Sequence, residues 1–307
     1  MAKIVFMGTP DFAVPTLKAL IEHHELIGVV TQPDRPAGRG GKVRMSPIKT
    51  VALEHDIPVF QPTKIRKAEA IAELKKWDAD AYVVAAFGQI LPQELLDIPR
   101  YGSINVHASL LPRWRGAAPI HAAIRAGDKQ TGITIMVMDA GLDTGPMLTK
   151  ATINITSDET GQTLHDKLAQ LGGDLLIDTL PKYFSGEIQP QAQPNDGITY
   201  APQIKKEEGD IDWSQDAESI ERLVRAFTPW PGTFTQWNGS QLKIHAGHVT
   251  EGQLDIGKVG IVDEQLAIGT GKGVFMPTIV QLSGKKRTDI DSFTNGYQDF
   301  VGSTLPS

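Results

Sequence analysis

Short apolar runs alternate with helix-periodic segments along the first half of the chain, and this alternation constrains the fold more than any other feature. Residues 3 to 8 (KIVFMG) and 26 to 31 (LIGVVT) read as buried strands. Between them DFAVPTLKALIEH puts Phe12, Leu17, Leu20 and Ile21 on one side of a helix. SPIKTVALEH, about 46 to 55, opens on Ser46 as N-cap with Pro47 at the first helical position. IPVF at 57 to 60, AYVVAAF at 81 to 87, SINVHA at 103 to 108 and TGITIMVMD at 131 to 139 continue the strands, and KAEAIAELKKW is helical. This rhythm predicts a Rossmann-like α/β domain: an open, mostly parallel sheet with right-handed crossovers and helices on both faces. A helix over about 160 to 184 closes it, weakened in its middle by Gly172 and Gly173 and near its end by Pro181.

The pattern then changes. GEIQPQAQPNDG, 186 to 197, is polar and without apolar periodicity, so it reads as a linker. Beyond it DAESIERLVRAF aligns Ile220, Leu223, Val224 and Phe227, and short strands follow, separated by turns at Asn238-Gly239 and Gly269 to Gly273. The expected division is a domain over 1–186, a linker over 187–206 and a small antiparallel β-barrel, OB-like, over 207–307.

Composition limits the chemistry. With no Cys among 307 residues, thiolate nucleophiles, disulfides, iron–sulfur clusters and Cys-based zinc sites are excluded. No signal-type segment follows the first strand and no run of about 18 apolar residues occurs, so a cytoplasmic chain with no membrane span is expected. A net charge of −6 argues against coating nucleic acid by global charge and leaves local basic patches open. The first strand turns through GTPDF and lacks G-x-G-x-x-G, so a nicotinamide cofactor is not expected.

Three segments carry candidate chemistry. Asn105 and His107 lie two apart near the carboxyl end of a strand and therefore share a face, at the edge where open α/β sheets bind ligands. An amide donor beside an imidazole suits oxyanion stabilisation and proton transfer, although strand-end residues of these types often bond only to neighbouring backbone. The loop SLLPRWRGAAPI, 109 to 120, exposes Arg113, Trp114 and Arg115 to an anion or a flat ring. The turn MDAGLDTGP, 138 to 146, holds Asp139 and Asp143 among glycines, a pattern open to catalysis, to a cation site or to plain turn formation.

Together and in this order, the N-x-H strand, the S-L-L-P-x-x-R-G loop and the D-x-G-x-D-T-G loop resemble the folate-dependent formyltransferases. FMGTPDFAVPTL, FGQILP at 87 to 92 and RPAGRGGK at 35 to 42 are similar in particular to members acting on methionyl initiator tRNA, and the resemblance covers nearly the whole chain. It implies a transferase using 10-formyltetrahydrofolate as co-substrate and no metal, with Asn105, His107 and Asp143 as the catalytic group. It further implies folate contacts from Phe87, Gly88, Gln89, Ile90, Leu91, Ser109, Leu110, Leu111, Pro112, Asp139 and Leu142. The catalytic pattern shows no departure. Asn105 and protonated His107 would stabilise charge on the formyl oxygen, and Asp143, hydrogen-bonded to the imidazole, would raise its pKa.

The acceptor bears on the loop 34 to 49, where Arg35, Arg39, Lys42, Arg44 and Lys49 against Asp34 give a net of +4. Such a loop is either a solvated surface segment or a grip on a phosphate backbone, and the resemblance favours tRNA contacts at Arg35, Arg39, Lys42 and Arg44. It also implies a tRNA-binding second domain, yet from Lys205 onward 10 basic residues stand against 14 acidic ones, so any basic face there must be local: Lys243, Lys258, Lys272 and Lys285 to Arg287 are the candidates. A working monomer is expected. The alternatives are an amino-sugar nucleotide or purine-precursor acceptor, a hydrolase releasing formate, and a binder without activity. GTGKG at 269 to 273 lacks phosphate-loop spacing and reads as a turn; His245 and His248 are three apart in a strand and read as facing opposite ways, not as a metal pair.

Overall fold

The computed structural model describes residues 2–37 and 42–306. In chain order the first part runs β1 (Lys3–Gly8), α1 (Val14–His23), β2 (Glu25–Val30), β3 (Arg35–Ala37), β4 (Lys42–Arg44), α2 (Pro47–Glu54), β5 (Val59–Phe60), α3 (Ala68–Lys76), β6 (Ala81–Ala85), α4 (Gln93–Leu96) and β7 (Ser103–His107). It continues through β8 (Arg115–Gly116), α5 (Pro119–Ala126), β9 (Gln130–Val137), β10 (Met147–Asn154), α6 (Gly161–Phe184) and β11 (Tyr200–Ala201). Seven strands form one sheet in the order β10-β9-β7-β6-β1-β2-β5. The pairs from β5 to β7 are parallel, and β9 and β10 add an antiparallel edge. The expected α/β sheet is therefore present.

Register decides which side chains reach the site. Met7 pairs with Val84 and Val84 with Asn105, so Asn105 and His107 share the face on which Val5, Met7 and Val84 pack against Ile71 and Leu74 of α3 and Leu95 and Leu96 of α4. Val106 points to the opposite face, towards α6. Helices thus cover both faces. Ser46 caps α2 as expected, its hydroxyl accepting the Lys49 amide at 3.1 Å. Helix α6 runs unbroken through Gly172 and Gly173, because those glycines serve close packing: a Cβ on Gly172 would sit 2.8 Å from Val106 Cγ1, and one on Gly173 3.2 Å from the backbone of Pro15. The antiparallel strand β10, the hairpin β3–β4 and helices α4 and α5 are additional to the elements expected from the sequence.

Two compact units emerge. The first comprises 1–119, 130–154 and 165–201; the second comprises 120–129, 155–164 and 202–307. The polar stretch from 187 to 201 is thus part of the first unit rather than a free connector. Backbone bonds in both directions between Met147 and Gln191, and the parallel pairing of β11 with β8, hold it there.

The second unit continues with α7 (Ala217–Ala226), β12 (Thr233–Trp237), β13 (Ser240–Thr250), β14 (Val259–Val262), β15 (Gln265–Gly269), β16 (Val274–Leu282), β17 (Thr288–Asp289) and α8 (Ile290–Gly296). Asp216 caps α7, and Ile220 and Val224 of that helix join Trp213, Trp237, Leu242, Phe275, Phe293 and Phe300 in one core. The sheet is antiparallel, ordered β12-β13-β16-β15-β14 with β17 on β16. Its ladder does not close into the expected barrel: among the described residues β12 and β14 do not pair with each other, their outer sides meeting only short bridges at Asp210–Ile211 and Gly302–Ser303, although irregular register near Gly247 bends β13 around the Phe275 ring.

Candidate active site

The carboxyl ends of β1, β6 and β7 lead into three loops at the point where strand order reverses, the place where such sheets bind ligands. Asn105 is 9% exposed and His107 6%, so each polar tip meets a nearly dry environment. Beyond β7 the chain is pinned at once. Thr134, opposite His107 on β9, donates its hydroxyl to the Ser109 carbonyl at 2.7 Å and accepts the Leu111 amide at 3.1 Å. Lys150 donates to the Leu111 carbonyl at 2.5 Å, and burial pulls its ammonium below the usual lysine range. The Ser109 hydroxyl donates to the Arg113 carbonyl at 2.6 Å, and the Leu111-Pro112 bond is cis.

At Trp114 the backbone enters the left-handed region, φ 61°, unusual for a bulky residue. Its N–H bonds to Thr199 Oγ1 at 2.9 Å, and its carbonyl lies 3.0 Å from His107 Nε2. A carbonyl only accepts, so Nε2 carries the proton and Nδ1 is the position that takes up or releases one. Nδ1 faces Asp143, with Oδ2 at 3.7 Å. That is an ion-pair distance and longer than the expected hydrogen bond, because the Gly116 amide donates to the same oxygen at 2.7 Å and anchors it. Asp143 is itself left-handed, φ 52°. Asp139 has a different duty: its Oδ1 accepts the Gly141 amide at 3.0 Å and the Thr144 hydroxyl at 2.6 Å, shaping the turn. Among the described residues no three His, Cys, Asp or Glu side chains gather as metal ligands.

The segment 87 to 91 divides by exposure. Phe87 and Leu91 are buried in the cluster that also takes in Met138, so the loops after β6 and β9 share a base. The Phe87 carbonyl accepts from Thr9 Oγ1 at 3.0 Å and the Gly88 carbonyl from Gln32 Nε2 at 3.0 Å. Gln89 turns inward, its amide oxygen accepting from Ile65 N at 2.7 Å and its amide nitrogen donating to the Pro62 carbonyl at 3.1 Å. The side chains of Phe87, Gln89, Leu91 and Leu111 are therefore spent on the fold, whereas Ile90 is 85% exposed and Leu142 59%. Sequence reasoning misses Thr9, Gln32, Thr134, Gln193 and Thr199. Strand ends signal Thr9 and Gln32; Thr134 lies inside β9, and nothing periodic signals Gln193 or Thr199.

The basic loop is a hairpin in which Arg35 stands opposite Arg44, with Arg35 donating to Gln32 Oε1 at 3.1 Å. Arg39 lies outside the described residues, and Lys42 enters as backbone of β4. Lys49 is withdrawn from the basic count: it pairs with Asp34 at 2.5 Å and bonds Gln61 at 2.8 Å. Hydrogen bonds from Lys49 and Gln61 hold the Asp34 carboxyl below its ordinary range. In the second unit Lys243 stands opposite Gln281, and His245 bonds Gln281 Oε1 at 3.1 Å and Arg287 Nη2 at 2.9 Å, which brings Lys243 and Arg287 to one neighbourhood. Lys258 is turned to the Gly302 carbonyl. GTGKG forms the turn from β15 to β16, where Gly271 packs on the Ser214 carbonyl.

Comparison with known proteins adds an independent line. The chain matches the family model for Formyl transferase over residues 2–180 and that for Formyl transferase, C-terminal domain, over 203–298. A Magnetococcus marinus protein named methionyl-tRNA formyltransferase is 49% identical over 297 residues, 96% of this chain and 95% of that protein. One of the same name from Citrifermentans bemidjiense is 50% identical over 310 residues, covering 99% and 96%. Among solved structures, the N-formyltransferase of Helicobacter canadensis with folinic acid and dTDP-3-aminofucose gives a TM-score of 0.67 at 20% identity, over 93% of this chain and 100% of that one. HypX of Aquifex aeolicus with tetrahydrofolic acid gives 0.63 at 17%, over 98% and 48%. At these identities the two structures speak for the fold.

Proposed function

The chain belongs to the formyl transferase family, and from that premise we propose that it transfers the formyl group of 10-formyltetrahydrofolate to the free amine of methionyl initiator tRNA. The observation that carries the catalytic assignment is the fixed His107 tautomer, with Nε2 committed to Trp114 and Nδ1 turned to Asp143. The co-substrate supplies an activated formyl carbon. Asn105, nearly buried, offers its amide N–H to the oxygen on which negative charge develops, in surroundings where a hydrogen bond is strong. His107 with a proton on Nδ1 stabilises the same charge. Asp143, held by the Gly116 amide, stabilises the imidazolium and takes part in moving the proton lost by the attacking amine to the folate N10, whose bond to the formyl carbon breaks as tetrahydrofolate leaves. The folate ring is read as lying against Ile90 and Leu142 side chains and the backbone of Phe87 to Leu91 and Ser109 to Pro112, with Asp139 shaping that wall.

For the acceptor, the near-full-length relatives and the hairpin support the same reading. Two arginines directly across an antiparallel pair repel unless an anion lies over them, and a phosphate backbone is such an anion. We assign Arg35 and Arg44, with Arg39 and Lys42, to the tRNA, the region 1–186 to catalysis and 207–307 to further tRNA contacts through Lys243 and Arg287. One chain supplies every group named, so the working unit proposed is a monomer, acting in the cytoplasm where its charged substrate is made. No helix among the described residues is long and apolar enough to cross a membrane.

The test is to mix the protein with 10-formyltetrahydrofolate and methionyl initiator tRNA and to measure formyl-methionine and free folate together. Controls omit the tRNA or replace it by an amino-sugar nucleotide. Formyl-methionine that requires the charged tRNA is expected. Folate release with water alone, or formyl transfer only to the sugar, overturns the acceptor.

A further inference from the structure

We infer that Gln193 is a positioning residue for the reaction: its carboxamide ties the loop carrying Asp143 to the loop carrying Gly116 and so fixes where the Asp143 carboxylate stands against His107. The inference rests on the catalytic role proposed for His107 and Asp143.

Gln193 sits in the polar stretch that the sequence presents as a connector. Its Nε2 donates to the Asp143 carbonyl at 2.7 Å and to the Gly145 carbonyl at 2.8 Å. Its Oε1 accepts from Arg115 Nε at 3.1 Å and from Arg115 Nη2 at 2.8 Å. A carboxamide has two N–H donors and two acceptor positions, and here all are used. Arg115, only 7% exposed, is the residue before Gly116, whose amide holds Asp143 Oδ2. Asp143 is therefore gripped twice, at its carboxylate by Gly116 and at its carbonyl by Gln193, and the two grips are joined through Arg115.

Asp143 stands at φ 52°, in the left-handed region that aspartate enters more readily than most side chains, so the bonds to its carboxylate and its carbonyl are what single out this placement of the loop. Gly145 beside it is fixed as well: a Cβ there would lie 2.0 Å from the Val137 carbonyl oxygen. The strap itself is anchored on both sides of Gln193, by the Met147–Gln191 backbone bonds before it and by the Arg115 amide donating to the Thr199 carbonyl at 2.9 Å after it. No other side chain makes this set of bonds. Glutamate would keep Arg115 but set a carboxylate against two carbonyls, and methionine would fill the volume and satisfy none of the four.

The experiment measures kcat, both KM values, the pH profile of kcat and the melting temperature for Gln193→Met, Gln193→Glu, Asp143→Asn and the double variant Gln193→Met with Asp143→Asn. Expected is a fall in kcat of about tenfold or more in both Gln193 variants, a tenfold loss being about 1.4 kcal/mol of transition-state stabilisation. KM should stay within about twofold and the pH profile should shift, as for a change made at the reacting groups. Gln193→Met should add nothing once Asp143 is already Asn. Normal kcat in Gln193→Glu, a loss confined to KM, or additive losses in the double variant would overturn the inference while leaving Asp143 catalytic. Wild-type turnover in Asp143→Asn would overturn the catalytic reading and this inference with it.

Discussion

His107 donates its Nε2 proton to the carbonyl of Trp114 at 3.0 Å, and this single bond decides which nitrogen faces the reaction. Glutamine reaches about as far as Nε2 and can make the same bond without offering a titratable group at Nδ1. His107→Gln should therefore fold normally and bind folate, yet lose about 10²–10⁴ in kcat, the usual scale of acid–base catalysis. Single-turnover kinetics with saturating substrates check it; turnover within threefold of the parent would remove His107 from the proton path.

Arg35 and Arg44 face each other across β3 and β4. Replacing either by Ala should weaken tRNA binding and lower the slope of log affinity against log salt by about 1 for each phosphate left without its arginine. The melting temperature of the free protein should hold or rise, since a like-charged pair is relieved. Fluorescence titrations at several salt concentrations decide the matter, an unchanged slope being the contrary result.

His245 is half-buried between Gln281, Arg287 and Lys243. Burial, then the positive charges of Arg287 and Lys243, hold its pKa below the ordinary value, against the hydrogen bond that Nε2 donates to Gln281 Oε1. A folded-state pKa below the unfolded one near 6.5 means that the unfolded chain binds the proton more readily. This stabilising contribution is complete above about pH 6.5 and is lost as pH falls through the lowered folded value. Arg287→Gln should move the His245 midpoint, followed by NMR, upward and reduce that acid sensitivity. A midpoint that stays where it was would show Arg287 to be irrelevant to the ring.

Gly172 lets α6 approach the back of the strand that carries Asn105 and His107. Alanine is the better helix former by about 1 kcal/mol, yet its Cβ would come 2.8 Å from Val106 Cγ1. The clash should win, with a net loss of roughly 1–2 kcal/mol, the lower range for overpacked cores. Denaturant unfolding gives the sign directly: stabilisation by Gly172→Ala would mean that strand and helix separate freely.

Legibility in the sequence follows periodicity. β1, β6 and β7 are readable because buried parallel strands are nearly continuous in apolar residues, and α2 because Ser46-Pro47 announces its start. Asn105 and His107 are readable because a strand repeats every two residues. Asp143 stands out by its neighbours, but its carboxylate's anchoring by Gly116 depends on a backbone amide 27 residues away, which no local pattern encodes. Gln193 is hidden for the same reason, since its partners are 48 to 78 residues distant and its own surroundings are polar throughout. Lys49 shows the converse: a net count of +4 leaves open which cation Asp34 offsets, and the structure pairs it with Lys49.

The bond from Gln193 to Arg115 also orders events in time. Arg115 leaves the ribosome 78 residues ahead of Gln193, an interval of roughly 4–16 s at ordinary elongation rates of about 5–20 residues per second. Throughout that interval a nascent chain already holds Asn105 and His107 but lacks the amide that braces the loops around them. The catalytic side chains are thus made first, and the bond that holds them in register arrives only with the strap that follows.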